Sequence, residues 1–427
     1  MKKFIRVFLY KKSRTAFFLR IFAKNNFDGY TENFAINEGG FELQNFEMKT
    51  KVFFGENALD HILEKNTGCA FVIADPFAVK SGLINEVTER LEKTGMRYKI
   101  WDDVVPDPPM DRVIAGVKKA LEIHSDCLMA VGGGSAMDYT KAVRMFARRT
   151  DPTFDPKFIA IPTTSGTGSE VTEVAVITDA EKKTKVPICS KELIADEAIL
   201  DAELVKTVPK NITADTGMDI MTHAIEAFVS TDRNDFSDAL AERAIKLCGC
   251  YLGRSYSDPN DMEAKEKIHV ASCMAGIAFN SAGLGLNHGM AHQLGARFHI
   301  PHGRANAILL PYIIGYNAGA SAPGGKYSSC VKKYCEIATS LGITNYDDVS
   351  TVRSLMNYLR MLSKDMDMPG CIKDIGNISE EEYFAAIDKM TEDALLDATT
   401  QTNPRVPTKE DVAAIYKDIW NSEHTGI

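Results

Sequence analysis

The sequence predicts an α/β half built on a parallel sheet, followed by an all-helical half. Three observations carry this prediction. Between about Met48 and Asp215, short apolar runs alternate with amphipathic helical patterns, the signature of a parallel sheet covered by helices on both faces. Two of those runs end in turns rich in glycine and hydroxyl groups, Gly132–Ser135 and Pro162–Glu170. After about Asp215 the strand-like runs vanish and long patterns of 3.6-residue period take over. The expected divisions are residues 1–47 as a basic extension and linker, 48–214 as the α/β domain and 215–427 as the helical domain.

Taken in order, Thr50–Phe54 reads as a short strand before Gly55, and Cys69–Asp75 as a buried strand closed by Asp-Pro. Val79–Gly95 is an amphipathic helix, Arg97–Trp101 a strand and Met110–His124 a helix. Cys127–Val131 is a strand that runs into the glycine turn, with a helix from Ala136 to Arg148 behind it. Phe158–Ile161 is the strand before the second turn. Helical patterns then cover 215–255, 261–280, 286–297, 303–318, 326–341, 349–364, 379–395 and 409–421.

Residues 1–24 stand apart. They carry Lys2, Lys3, Arg6, Lys11, Lys12, Arg14, Arg20 and Lys24, interleaved with large apolar residues, and no acidic residue precedes Asp28. No apolar run there is long enough to span a membrane. One reading is an unstructured extension; the sharper one is an amphipathic helix that docks on a partner protein or an acidic surface. The chain as a whole has a net charge of −9, which argues against a nucleic-acid partner for its main body. Its nine cysteines include no C-x-x-C pair. They read as reduced thiols of a cytoplasmic protein.

Six of the nine histidines fall between His223 and His302. Asp219 and His223 are four apart in a helical pattern, as are His288 and His292, so each pair shares a helix face. His302 follows a proline on a turn. A carboxylate and two or three imidazoles brought together would hold a divalent metal with a position left for substrate. At Gly132, Gly133, Gly134 and Ser135 a strand meets a helix N-terminus, where backbone N–H groups favour a phosphate. The alternative is a plain glycine turn. Thr163, Thr164 and Thr167 line a second turn at another strand end, where open α/β sheets bind their ligands. Asp75 closes the first long strand. It can accept ribose hydroxyls and repel a 2′-phosphate, or cap the next helix, and the two roles are compatible.

Three stretches resemble the iron-containing (group III) alcohol dehydrogenase family when read in order: Asp219–Glu226 (D-I-M-T-H-A-I-E), Gly283–Gly295 (G-L-G-L-N-H-G-M-A-H-Q-L-G) and Pro301–Pro311 (P-H-G-R-A-N-A-I-L-L-P). Ala394–Pro407 is similar to the family's closing D-x-x-T-x-x-N-P-R segment. The departures are Ala136 where the family usually has proline, a short Thr150–Lys157 connection and the N-terminal extension.

The resemblance implies a dehydroquinate synthase-like fold and a metal-dependent, NAD(H)-linked interconversion of a short-chain primary alcohol and its aldehyde. It implies Asp219, His223, His288 and His302 as metal ligands, with His292 beside the metal as a proton carrier. Gly133, Gly134 and Ser135 would contact the pyrophosphate, with Asp138 at the family's spacing. Thr163, Thr164 and Thr167 would line the cofactor, and Lys185 would reach its ribose region. Phe279 would line the substrate pocket, although simple core packing explains it equally well. Fe²⁺ is the implied metal, and Zn²⁺ accepts the same donors. Homodimers or larger homo-oligomers are implied, as is an amphipathic N-terminal segment that targets a bacterial microcompartment. The rival readings are a polyol dehydrogenase of the 1,3-propanediol or glycerol type on the same fold, and a catalytically silent metal-binding assembly protein.

Overall fold

Six apolar runs assemble into one parallel sheet in the computed structural model, which describes residues 45–64, 68–106, 108–179, 184–319 and 330–421. The basic segment and most of its linker, residues 1–44, lie outside the described residues. In the first half the elements are β1 (Lys51–Phe54), β2 (Cys69–Ala74), α1 (Pro76–Lys80), α2 (Asn85–Thr94), β3 (Arg97–Trp101), α3 (Met110–Ile123), β4 (Cys127–Gly132), α4 (Gly134–Thr150), β5 (Lys157–Pro162), β6 (Val174–Asp179), β7 (Thr184–Cys189) and β8 (Glu197–Leu200). The sheet runs β1-β8-β5-β4-β2-β3, and all of its pairings are parallel.

Alternation along the strands decides what each face buries. Phe71, Ile73, Leu128, Ala130 and Phe158 pack with Val113, Val117 and Val143 of α3 and α4. Val72, Met129, Val131, Ile159 and Ile161 pack on the other face with Val87 and Leu91 of α2. Helices cover both faces, so β2 and β4 are buried along their whole length.

The strand order also places a crevice. From β2 the chain steps outward to β3, returns to β4 on the other side of β2, and continues away through β5. The order therefore reverses between β2 and β4. Ligands of open α/β sheets bind outside the carboxyl ends of strands at such a reversal. Asp75 follows β2 there and Gly133 follows β4.

Several elements differ from the sequence reading. Gly82, at φ +80°, breaks the helix expected over Val79–Gly95 into α1 and α2. The β6–β7 hairpin and β8 were not expected. β8 is only four residues long and opens on a glutamate; its pairing with β1 and β5, not its propensity, makes it a strand. The expected helix over 215–255 is two helices, α5 (Lys210–Val229) and α6 (Asp235–Ser257), because Asn234 and Ser237 form a capping box that starts a new one. The expected boundary near 214 therefore falls inside α5, and the change from strand to helix lies between Leu200 and Lys210.

The remaining helices are α7 (Met262–Ala282), α8 (Leu286–Phe298), α9 (His302–Ala318), α10 (Val331–Ser340), α11 (Asp348–Asp365), α12 (Glu380–Leu396) and α13 (Lys409–Asp418). One apolar core forms around α5, α6 and α7 through residues such as Met218, Ile225, Ile245 and Ile268. A second joins α8, α9, α12 and α13 through Leu294, Leu309, Tyr383 and Tyr416. Among the described residues no single helix is long and apolar enough to cross a membrane.

Candidate metal centre and nucleotide loops

Helix α5 is buried nearly all round, yet it carries Asp215, Asp219, His223 and Glu226 on one face. Four buried polar side chains on one stripe need partners, because an unpaired buried charge is destabilising by several kcal/mol. The partners come from α8 and α9. Arg304 of α9 pairs with Asp215 through two contacts of 3.0–3.1 Å. Gly303 allows this approach: a Cβ there would stand 1.8 Å from the Asp215 carbonyl oxygen. The adjacent His302 is thereby carried to Asp219, its Nε2 3.5 Å from Oδ1. His288 of α8 arrives from another side, with Nε2 3.8 Å from the same oxygen.

One donor atom each from Asp219, His223, His288 and His302 thus lies within 4.8 Å of every other. Three imidazole nitrogens and a carboxylate oxygen are a donor set for a divalent transition metal. The fit has a second sign. The amide nitrogen of Asn306, one turn after His302, lies 2.7 Å from Asp219 Oδ1 and 3.2 Å from the Nε2 atoms of His288 and His302. The Asp219 oxygen accepts from that amide, and ring nitrogens of His288 and His302 face the same point. Asn287 fixes the orientation of this amide by donating to its oxygen at 2.9 Å.

The surrounding groups shift the titration of each of the four residues. Burial would raise the Asp219 carboxyl, but His223, His302 and His288 hold it far below the usual carboxylate range. Burial pushes His223 down to about 4, so it presents a neutral ring. Burial likewise lowers His302, although 41% of its side chain is open to solvent. His288 goes the other way: burial would lower it, yet Asp219 and Glu226 lift it to about 9. Glu226 accepts from His288 Nδ1 at 2.5 Å and from the Asn287 backbone at 2.7 Å. That bond leaves Nε2 directed at the cluster, the usual second carboxylate behind a metal-binding histidine. Stacking orients His223: its ring lies 4.6 Å from both Phe279 and His288, and its Nδ1 has no hydrogen-bond partner among the described residues.

His292 stacks on His302 at 5.3 Å but stays outside the four-ligand group. Its Nδ1 donates to Asp397 at 2.9 Å. Asp397 is held in turn by the backbone N–H and hydroxyl of Thr399, at 3.0 and 2.8 Å. Burial would raise the Asp397 carboxyl, but His292 and Thr399 keep it below its ordinary value. With Nδ1 committed to Asp397, Nε2 is the ring nitrogen left to face the cluster.

The nucleotide candidates gather at the strand reversal. Asp75 caps α1 by accepting from Ala78 N at 2.7 Å, and its other oxygen faces Gly133 N at 3.3 Å. Gly132 is paired with Pro162 across β4 and β5, so the two turns lie side by side. They interlock: a Cβ on Gly134 would meet Thr167 at 2.9 Å, and one on Gly133 would meet Thr164 at 3.2 Å. Ser135 lies in the first turn of α4. Thr163 is buried, Thr164 half-buried and Thr167 exposed. Asp138 points inward instead, accepting from Ser169 Oγ and from Val176 N at 2.8 and 2.9 Å. It supports the second turn from behind. Lys185 lies on β7 opposite Thr178, and its side chain is outside the described residues.

Sequence reading assigned no role to Glu226, Asp397, Asn306 or His269. Glu226 carried a usable signal, since it lies three residues after His223 on the same helix face. Asp397 carried none by spacing, because it is 105 residues from His292.

Comparison with known proteins places the chain in a family. Residues 49–202 match the family described as iron-containing alcohol dehydrogenase, and residues 213–420 match the family described as Fe-containing alcohol dehydrogenase, C-terminal. The chain is 38% identical over 364 residues to a 1-propanol dehydrogenase PduQ of Citrobacter freundii, covering 85% of this chain and 96% of that protein. It is 36% identical over 393 residues to an NADPH-dependent butanol dehydrogenase of Clostridium saccharobutylicum, covering 88% and 98%. The crystal structure of a 1,3-propanediol oxidoreductase superposes with a TM-score of 0.80 at 31% identity, covering 89% of this chain and all (100%) of that one. The chain is a member of the iron-containing alcohol dehydrogenase family.

Proposed function

We propose that the enzyme reduces short, unbranched aliphatic aldehydes to primary alcohols with NADH. The observation that carries this reading is the convergence of Asp219, His223, His288 and His302 beside Phe279, with His292 and Asp397 alongside. A divalent metal, Fe²⁺ on this reading, supplies Lewis acidity toward the substrate oxygen when those four residues hold it. Phe279 stacks on His223 and offers an apolar wall to a short carbon chain. His292 holds or gives a proton at Nε2, with its ring fixed through Nδ1 by Asp397. The N-terminus of α4 and the Gly133–Ser135 turn hold the pyrophosphate, and Thr163, Thr164 and Thr167 line the adjoining wall.

The Asp75 carboxylate supports NADH over NADPH, since a 2′-phosphate beside it would be repelled. Nine cysteines, all free of disulfides, support work in the reducing cytoplasm. Self-association is supported by the sheet edge, where β1 carries the exposed Phe54. On this reading residues 1–24 dock the enzyme on a partner protein, with a bacterial microcompartment as the setting.

A second reading, reduction of 3-hydroxypropanal, is favoured by the similarity to a 1,3-propanediol oxidoreductase. Turnover with propanal, butanal and 3-hydroxypropanal, each with NADH and NADPH, separates the two. Higher kcat/KM for propanal with NADH is expected; preference for 3-hydroxypropanal would replace the first reading with the second. In the same assay Asp75→Ser keeps a cap for α1 but removes the charge, and should raise NADPH use by about tenfold or more. Unchanged NADPH use would leave Asp75 as a cap alone.

A further inference from the structure

Helix α7 presents four residues, His269, Ser272, Gly276 and Asn280, at helical spacing to the segment that follows β5. His269 Nδ1 lies 2.9 Å from the Ser165 hydroxyl, and the Pro162 carbonyl lies against the same ring. Gly168 and Gly276 touch backbone to backbone: a Cβ on Gly168, which has φ +61°, would stand 2.6 Å from Gly276 Cα and 3.1 Å from the Ser272 carbonyl. Asn280 accepts from Glu173 N at 2.8 Å. On the opposite side Lys141 of α4 is fully buried and donates to Ser169 Oγ and Thr172 Oγ1 at 2.8 and 3.0 Å. The second nucleotide turn is thus clamped between α4 and α7.

His269 is the costly member of this clamp. It is 2% exposed, and its Nε2 has no hydrogen-bond partner among the described residues. Burial holds it at about 4, so the ring is neutral at physiological pH. A half-satisfied buried imidazole is less stable than an apolar side chain of similar size. Packing alone therefore gives no reason for a histidine here; its contacts with the Ser165 hydroxyl and the Pro162 carbonyl, both on the segment that ends β5 and opens the second turn, do. Ser165 sits between Thr164, which abuts Gly133, and Thr167, which abuts Gly134.

We propose that His269 is a positioning residue for the nicotinamide cofactor, acting through Ser165 to hold the Thr163–Thr167 turn against the glycine turn. The role rests on the reading of these two turns as the cofactor cradle. It links the helical half to cofactor affinity without His269 touching the cofactor.

The test is NADH affinity of the metal-loaded protein by fluorescence titration, with thermal midpoint and metal content measured alongside. Ser165→Ala and His269→Leu should each weaken NADH binding about five- to tenfold, the worth of one neutral hydrogen bond. The KM for NADH should rise with it, and metal content should not change. The double variant should be no weaker than either single one, since one bond is lost in all three. His269→Asn, which can still reach Ser165, should recover most of the affinity. NADH affinity unchanged in a stable Ser165→Ala protein would overturn the proposal, as would additive losses. Ser165→Ala decides the matter even if His269→Leu fails to fold. If the unaltered chain does not bind NADH, the reading of the turns fails and the clamp with it; binding with an unmoved Ser165→Ala overturns the clamp alone.

Discussion

Replacing His302 by alanine should abolish metal binding and turnover together while leaving the fold intact. The reason lies in where the ligand sits. His302 begins α9, with 41% of its side chain exposed, so truncation leaves no sealed cavity. Its neighbours Asp219 and Asn306 keep their mutual hydrogen bond. His288 is the worse choice for such a test. It is 1% exposed, and removing it would take the imidazole partner from Glu226, leaving a buried carboxylate held only by the backbone amides of Asn287 and His288. Loss of a group behind a metal ligand weakens metal binding about 10–100-fold, and loss of the ligand itself should exceed that. Retained metal with normal turnover in His302→Ala would remove His302 from the ligand set.

His292→Ala should separate catalysis from metal binding. His292 stands outside the four-donor group, so metal content should match the unaltered protein. The rate of the chemical step should fall about 100-fold, the low end for a general acid or base, because water reaches this exposed ring and substitutes in part. Asp397→Asn should lower kcat by about tenfold, since an amide can donate to Nδ1 and so favour the tautomer with the proton on Nε2. Steady-state kinetics with metal analysis reads both variants. Turnover unaffected in His292→Ala would leave that residue as a mere neighbour of His302.

How much of this was legible in the sequence depends on which force set each feature. β2, β4 and β5 were readable because both of their faces are buried and their runs are continuously apolar. β8 was not, because it opens on a glutamate and its partners β1 and β5 are distant in sequence; the β6–β7 hairpin was not, because Lys185 and Pro187 interrupt the β7 run. The four converging residues, Asp219, His223, His288 and His302, were readable as helix-face pairs plus a proline-histidine turn, and their convergence follows from how α5, α8 and α9 cross. The supporting groups were harder. Asp397 looks like an ordinary loop acid until the helices are packed, whereas Glu226 shares a helix face with His223. Asp138 matched a family spacing, yet its oxygens turn toward Ser169 and Val176. His269 was hidden in an apolar helix where a buried histidine resembles core.

The central claim is that a metal held by Asp219, His223, His288 and His302 is needed for aldehyde reduction. Metal analysis of anaerobically purified protein, coupled to NADH oxidation by propanal before and after chelation, tests it most directly. The account predicts about one iron per chain, loss of turnover on chelation and recovery with Fe²⁺. Full turnover by the metal-free chain would contradict it.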